Sequence, residues 1–136
     1  MFVDTHCHLT MLNLEPYGGD LDAAIQQARD AGVSKMMGIS VDLDDHIALS
    51  EIAARHADVG YSVGVHPCED QAVMQRATVE TLVDLAQSDK VWAIGETGLD
   101  YFHSTEFVAE QKACFARHIQ ASKIVTQPVV VHTRSS

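Results

Sequence analysis

Short apolar runs alternate along the chain with longer stretches that repeat their apolar residues at helical spacing. Five of the runs are rich in β-branched and aromatic residues, and several are apolar at consecutive positions, which is typical of strands covered on both faces. These predicted strands are Phe2–Thr5, Lys35–Val41, Val59–Val65, Val91–Glu96 and Pro128–His132. Because helical stretches separate them, the pattern predicts βα units around a parallel sheet.

Four helices are predicted, one after each of the first four strands. The first begins at the N-cap residue Asp20 and ends before Gly32. The inward-facing positions that mark the four helices are, in chain order, Leu21, Ala24, Ile25 and Ala28; Ile47, Ile52 and Ala53; Leu82, Leu85 and Ala86; and Phe107, Gln111, Cys114, Phe115, Ile119 and Ser122. Five strands and four helices fit either the start of a TIM (β/α) barrel or a small doubly wound sheet, and periodicity does not separate the two.

Polar segments follow four of the apolar runs, at the point where each strand ends. They are Asp4-Thr5-His6-Cys7-His8, Gly64-Val65-His66-Pro67, Gly95-Glu96-Thr97-Gly98-Leu99-Asp100-Tyr101 and His132-Thr133-Arg134. The carboxyl ends of parallel strands meet at one edge of a sheet, where barrel active sites lie. We therefore expect these segments to form one site, and their repeated placement carries more weight than any single residue.

A divalent metal is the ligand that these side chains suit best. The two-residue spacing of His6 and His8 puts both imidazoles on the same side of an extended chain. A carboxylate such as Glu96 among neutral imidazoles holds Zn²⁺, Mn²⁺, Fe²⁺ or Ni²⁺ and, with added water, Mg²⁺. Glu96 is placed to bridge two cations about 3.5–4 Å apart, an arrangement that activates water for hydrolysis. The alternative for Glu96 is a structural ion pair with Arg134.

The other histidines, and a cysteine in the first segment, are less suited to this site. His46 and His56 fall in helical stretches and His118 lies on the apolar face of the fourth helix, so solvated or core roles are predicted. His103 follows the fourth strand, and its role is left open. Cys7 alternates to the other face of its strand, so we expect it to pack against apolar neighbours.

The composition of the 136-residue chain fits one compact domain over residues 1–136. Its formal charge of −10 has the wrong sign for a broad basic face that grips nucleic acid, so metals and local cations must hold any phosphate substrate. No apolar run approaches the ~20 residues that span a bilayer, and the three cysteines are odd in number and widely spaced. We therefore expect free thiols, a cytoplasmic location and no membrane partner.

The four polar segments, in this order, resemble the TatD family of metal-dependent hydrolases in the amidohydrolase superfamily, and Gly95–Tyr101 is the most specific match. The resemblance implies a TIM barrel and a deoxyribonuclease, acting as an exonuclease, that hydrolyses phosphodiester bonds of DNA with a metal-activated water. It implies divalent metal ions, two per complete site (Mg, Mn or Zn), bound by His6, His8, Glu96 and His132. It also implies catalytic roles for Glu96, His66, Asp100 and Arg134, and substrate binding by His66 and Arg134.

The resemblance covers only part of the family's length. A closed barrel of this type has eight strands in about 250 residues, so the chain is predicted to be truncated to about the first five strands and four helices. The family's histidine after strand six and its aspartate at strand eight have no counterpart here. We expect single-stranded DNA ends as the substrate, because they fit a narrow, locally positive active-site entrance on an acidic protein.

Two alternatives to this enzyme stay open. One is a catalytically incomplete fragment that at most binds a divalent metal or associates with another half-barrel. Open sheet edges at the first and fifth strands would favour self-association. The other is deacylation of an ester or amide, since a metal-activated water attacks carbonyls as readily as phosphorus.

Overall fold

The computed structural model describes residues 1–136 as five strands, five α-helices and one 3₁₀ helix. The strands are β1 (Phe2–Cys7), β2 (Val33–Gly38), β3 (Val59–Val63), β4 (Val91–Asp100) and β5 (Val129–Arg134). The helices are α1 (Leu21–Asp30), α2 (Asp45–Arg55), α3 (Gln71–Arg76), α4 (Val79–Leu85) and α5 (Val108–Val125), and the 3₁₀ helix is Glu15–Tyr17. All the predicted strands and helices are present.

The strands form one parallel sheet in the order β1-β2-β3-β4-β5. Strand order therefore follows chain order, with at least one helix in each connection between neighbouring strands. A doubly wound sheet reverses its strand order at a switch point, whereas a barrel adds each new strand beside the last. The topology is that of a barrel segment, which decides between the two folds that periodicity left open.

The structure extends β1, β4 and β5 beyond their predicted ends, ends β2 and β3 before theirs, and adds one helix. β4 continues from Glu96 to Asp100 because β5 pairs with it as far as the pair formed by Asp100 and Arg134. The polar segments of these two strands are therefore held in the sheet instead of in loops. Helix α3 was not predicted, because its six residues bury only Met74 and are too few to show a periodic pattern.

Two apolar clusters pack the helices against the sheet. The larger has 12 buried residues, contributed mainly by α1, α2, β2, β3 and β4. The smaller has seven and includes residues of α3, α4 and α5. All five residues of β3 are buried, as predicted for a strand covered on both faces. None of the helices combines the length and the apolar character that crossing a bilayer requires.

An ion pair between α1 and the turn before β3 should contribute measurably to stability. The Arg29 guanidinium donates two hydrogen bonds to Asp58, from Nε to Oδ2 at 2.7 Å and from Nη2 to Oδ1 at 2.6 Å. Their side chains are 29% and 22% exposed, so water screens the pair only in part. The hydrogen bonds from Arg29 hold the pKa of Asp58 below its ordinary value. Asp58→Asn should lower the free energy of unfolding at neutral pH by about 1–2 kcal/mol, measured by urea denaturation.

The pH dependence and a matched variant test this assignment. A carboxyl whose pKa is depressed by folding stabilises the protein above its unfolded pKa and loses that contribution as the pH falls. The difference between wild type and Asp58→Asn should therefore shrink in acid. Asp44 makes the same two-bond contact to Arg76, but with side chains 70% and 54% exposed. Asp44→Asn should cost less than Asp58→Asn because water screens the exposed pair, and equal losses in the two variants would contradict the prediction.

Candidate metal centre

Glu96 lies at a bulge in β4. The pairing of β4 with β5 shifts between Gly95 and Thr97, so Glu96 has no partner in that strand. Its backbone NH donates instead to the Ser40 carbonyl oxygen at 3.1 Å. A bulge re-aims the side chain of the extra residue. The Glu96 side chain is 8% exposed, so its carboxylate is buried at the site that it helps to form.

Three imidazoles surround the Glu96 carboxylate. His6 Nε2, from β1, is 3.5 Å from Glu96 Oε2, and His8 Nε2, just beyond the end of β1, is 3.9 Å from the same oxygen. His132 Nδ1, from β5, is 3.4 Å from the other oxygen, Oε1. The structure therefore brings together the four residues that the sequence proposed as ligands, with different imidazoles on the two carboxylate oxygens.

The spacing of these atoms and their unmet hydrogen bonds fit a divalent cation. Distances of 3.4 to 3.9 Å are too long for hydrogen bonds. Two atoms bound at ~2.1 Å to one ion lie about 3.4 Å apart at the tetrahedral angle and up to about 4.2 Å apart at wider angles. The rings of His6 and His8 make no hydrogen bond, and His8 Nδ1 is the one buried side-chain nitrogen or oxygen without a partner. An imidazole–carboxylate set of this kind suits Zn²⁺ or Mn²⁺.

Asp100, at the end of β4, accepts five hydrogen bonds. Its Oδ2 accepts from His132 Nε2 and His103 Nδ1, both at 2.8 Å, and from the Cys68 thiol at 3.2 Å. Its Oδ1 accepts from the backbone NH groups of Phe102 and His103. Burial by itself raises the pKa of Asp100, but these hydrogen bonds outweigh it and hold the pKa well below its usual range. Asp100 is therefore an anion that is 1% exposed.

Asp100 sets which nitrogen of His132 faces the cluster. Because the carboxylate is ionised, His132 Nε2 carries the proton and donates it to Asp100. The lone pair of His132 Nδ1 then points towards Glu96. A carboxylate that orients a histidine in this way is the usual partner of a metal-binding imidazole.

His66 lies beside His132, in the loop that follows β3. The centroids of the two rings are 4.3 Å apart. The backbone NH of Cys68 donates to His66 Nδ1 at 3.0 Å, so the ring proton of His66 is on Nε2. Burial, together with the neighbouring His132, lowers the pKa of His66, which is therefore neutral at physiological pH. Its Nε2–H is a donor suited to an anionic oxygen.

Arg134, the last residue of β5, does not pair with Glu96. Its guanidinium lies over the ring of Phe102, with Cζ 3.9 Å from the ring centroid. The ion-pair contacts of Glu96 involve the three imidazoles alone, so the alternative of a structural pair with Arg134 is wrong. An exposed guanidinium without a carboxylate partner retains its capacity to bind phosphate.

Sequence reasoning missed two neighbours of this site: it did not identify Cys68, and it assigned no role to His103. Both contact Asp100, and the available signals were the position of Cys68 two residues after His66 and that of His103 three residues after Asp100. Cys7 packs against the larger apolar cluster, as predicted.

The predicted core role of His118 is confirmed. This α5 residue is fully buried, and its Nε2 accepts a hydrogen bond at 3.0 Å from the NH of Val65, which precedes His66. Its Nδ1 donates to the Cys114 carbonyl oxygen at 2.7 Å. His118 therefore holds the loop that carries His66. Burial lowers the pKa of His118 to about 4, so the ring is neutral in the folded protein.

Acid should destabilise the fold through His118. The unfolded chain, with an ordinary histidine pKa of 6.5, binds this proton more readily than the folded chain does. The free energy of unfolding is therefore unaffected by this proton above pH 6.5. It decreases by up to about 3 kcal/mol as the pH falls towards 4. In urea denaturation across this range, His118→Gln should show a flatter dependence of stability on pH. Parallel curves for the two proteins would contradict the prediction.

Parallel strands in chain order, with polar side chains gathered near the strand ends, define the chain as part of a (β/α) barrel. A profile of the family described as TatD related DNase matches residues 3–136. The chain is 34% identical over 134 residues to the metal-dependent hydrolase YcfH of Escherichia coli (strain K12), covering 98% of this chain and 49% of that protein. It is 29% identical over 125 residues to the 3′-5′ ssDNA/RNA exonuclease TatD of Shigella flexneri, covering 92% and 48%.

Comparison with solved structures indicates the same family. The crystal structure of YjjV, a TatD homologue from Escherichia coli K12, matches with a TM-score of 0.81 and 25% identity, over 98% of this chain and 51% of that chain. The chain therefore belongs to the TatD related DNase family. It spans about half the length of the curated relatives that it matches. Its five parallel strands form a half-barrel, which confirms the predicted fold class and family.

Proposed function

We propose that the chain carries metal-binding residues of a hydrolase that cleaves phosphodiester bonds of DNA as an exonuclease. The observation that supports this most strongly is the set of three imidazoles around both oxygens of one buried glutamate. His6, His8 and Glu96 Oε2 would hold one divalent cation, and His132 Nδ1 with Glu96 Oε1 would contribute to a second. A bound Mg²⁺, Mn²⁺ or Zn²⁺ would polarise a phosphoryl oxygen and make water more acidic.

The neighbouring residues have separate tasks in this proposal. Asp100 positions His132 by accepting its Nε2 proton in a hydrogen bond. His66 donates from Nε2 to a non-bridging phosphate oxygen, which its neutral state and its Nδ1 hydrogen bond to Cys68 allow. Arg134 binds the phosphate through its forked guanidinium. These local donors explain how a chain with a formal charge of −10 can hold an anionic substrate.

Single-stranded DNA ends are the substrate that we propose. The Shigella flexneri relative is named a 3′-5′ ssDNA/RNA exonuclease. In this chain, Phe102 is 60% exposed beside Arg134, so an aromatic ring lies next to the proposed phosphate contact. Unpaired bases stack on exposed aromatic rings, whereas paired bases cannot. The acidic surface repels the many phosphates of a long duplex and therefore disfavours duplex binding.

End-labelled oligonucleotides test this proposal. Wild-type protein with Mn²⁺ or Mg²⁺ should shorten a single strand stepwise from one end, faster than it shortens a duplex, and Glu96→Gln should not. A phosphodiester and a carboxylic ester chromogenic substrate, compared side by side, separate nuclease activity from deacylation. Stoichiometric metal binding without cleavage of any substrate would favour the catalytically incomplete fragment instead.

Self-association and location are further parts of the proposal. β1 and β5 each have one neighbour in the sheet, so each presents an open edge. Open edges pair readily with other chains, which supports association with a second half-barrel. A cytoplasmic location stays a prediction that rests on the three free cysteines.

A further inference from the structure

A second cluster of metal-binding side chains lies next to the site already described. It consists of Cys68, Asp100 and His103, whose ligand atoms all lie within 4.8 Å of one another. The Cys68 Sγ is 3.2 Å from Asp100 Oδ2 and 3.6 Å from His103 Nδ1. His103 Nδ1 is 2.8 Å from the same carboxylate oxygen. None of the three is among the four residues assigned above to the catalytic metals.

We propose that Cys68, Asp100 and His103 bind a thiophilic divalent cation, of which Zn²⁺ is the physiological candidate. One sulfur, one imidazole nitrogen and one carboxylate oxygen form the mixed set that Zn²⁺ favours. With bonds of ~2.3 Å to sulfur and ~2.0 Å to nitrogen and oxygen, tetrahedral ligands lie about 3.3–3.6 Å apart. The two separations from sulfur are already close to these values. The nitrogen and oxygen need to part by about half an ångström.

The cluster opens to solvent, so a cation can reach it. Cys68 and His103 are exposed, and both line a cavity of about 260 Å³. Glu69 and Asp70 also line this cavity and give it a negative charge that attracts cations. The cavity leaves room for water in the fourth coordination position.

The proton balance of binding is simple. The Asp100 carboxylate supplies one negative charge. Coordination displaces the thiol proton of Cys68 to solvent, which supplies the second. His103 stays neutral, because its ring proton moves from Nδ1 to Nε2 and frees Nδ1 for the metal. A divalent cation is thus neutralised by its own ligands, and one proton is released for each ion bound.

The cation would use the same carboxylate oxygen that orients His132. The hydrogen bond from His132 Nε2 to Asp100 Oδ2 is therefore expected to weaken when the cluster is loaded. This consequence for the catalytic residues rests on the proposed function, whereas binding at the cluster does not.

Cadmium titration of the whole chain tests the site. A cadmium–thiolate bond gives an ultraviolet charge-transfer band that histidine and carboxylate ligands do not give, so Cd²⁺ at the Glu96 cluster is silent. At saturation, wild type should show a band whose amplitude corresponds to one thiolate-bound Cd²⁺ per chain. Cys68→Ser should lose it, and Cys7→Ser should keep it. Loss of an outer-sphere partner lowers metal affinity by ~10- to 100-fold, so His103→Ala, which removes a direct ligand, should weaken Cd²⁺ binding by at least as much.

A measurement on wild type alone keeps the proposal testable if a variant does not fold. Alkylation of Cys68, located by peptide mass mapping, should be slowed more than tenfold by Zn²⁺ and restored by a chelator. A charge-transfer band that survives in folded Cys68→Ser, or unchanged affinity in His103→Ala, overturns the assignment. So does an alkylation rate that Zn²⁺ leaves unchanged. Because neither readout involves DNA cleavage, failure here is distinguishable from failure of the proposed nuclease.

Discussion

Replacement of Glu96 by glutamine should lower the affinity for divalent metal by more than about 100-fold. Both Glu96 oxygens face imidazoles, and the amide offers one neutral oxygen and an NH₂ group that repels a cation. Loss of an outer-sphere partner alone costs ~10- to 100-fold in metal affinity, so loss of the shared carboxylate should cost more. Isothermal titration calorimetry with Mn²⁺ or Zn²⁺ measures both the affinity and the number of ions bound.

Glu51→Gln is the matched control for this experiment. Glu51 is an exposed carboxylate on α2 with no ion-pair partner, so its variant should bind metal like wild type. Unchanged affinity in folded Glu96→Gln would show that the imidazole cluster is not a metal site. Circular dichroism of both variants separates loss of binding from loss of fold.

The fold was predictable where apolar burial is continuous. β4 begins with four consecutive apolar residues, Val91–Ile94, three of them buried and Trp92 half-buried, and this run marked it as a strand covered on both faces. Helix α1 was predictable at both ends. Asp20 accepts the hydrogen bond from the Asp22 NH that its capping position implied, and Gly32, just after the helix, has a φ of +99°. Helix α3 was not, because a helix that buries one side chain leaves no repeat in the sequence.

The site was predictable as far as strand ends determine it. His6, His8, Glu96 and His132 converge because parallel strands present their carboxyl ends at one edge. The five hydrogen bonds of Asp100 were not predictable, because they depend on two details of three-dimensional pairing. β5 must pair with β4 as far as Asp100. The turn that follows must also direct its backbone NH groups back at the Asp100 carboxylate. Neither detail leaves a pattern in composition or spacing.

Gly98→Ala should destabilise the fold by about 3–5 kcal/mol and disturb the candidate metal centre as well. Gly98 pairs with His132 across β4 and β5 and has a φ of +146°, which side-chain-bearing residues rarely adopt. An added Cβ would also collide with the His132 carbonyl oxygen. Backbone strain and overpacking cost about 1–3 kcal/mol each. To relieve the collision β5 must move at His132, which displaces Nδ1 from Glu96 and should weaken metal binding by about tenfold or more.

Gly18→Ala separates the collision from the strain. Gly18 has a φ of +66°, but a Cβ there would meet nothing within 4 Å. Strain alone should cost about 1 kcal/mol in urea denaturation and leave metal affinity unchanged, because Gly18 lies in the connection between β1 and α1. If Gly98→Ala lost no more stability than Gly18→Ala, the close approach of β4 to β5 would not constrain the fold. If it lost stability but bound metal normally, the position of His132 would not depend on that approach.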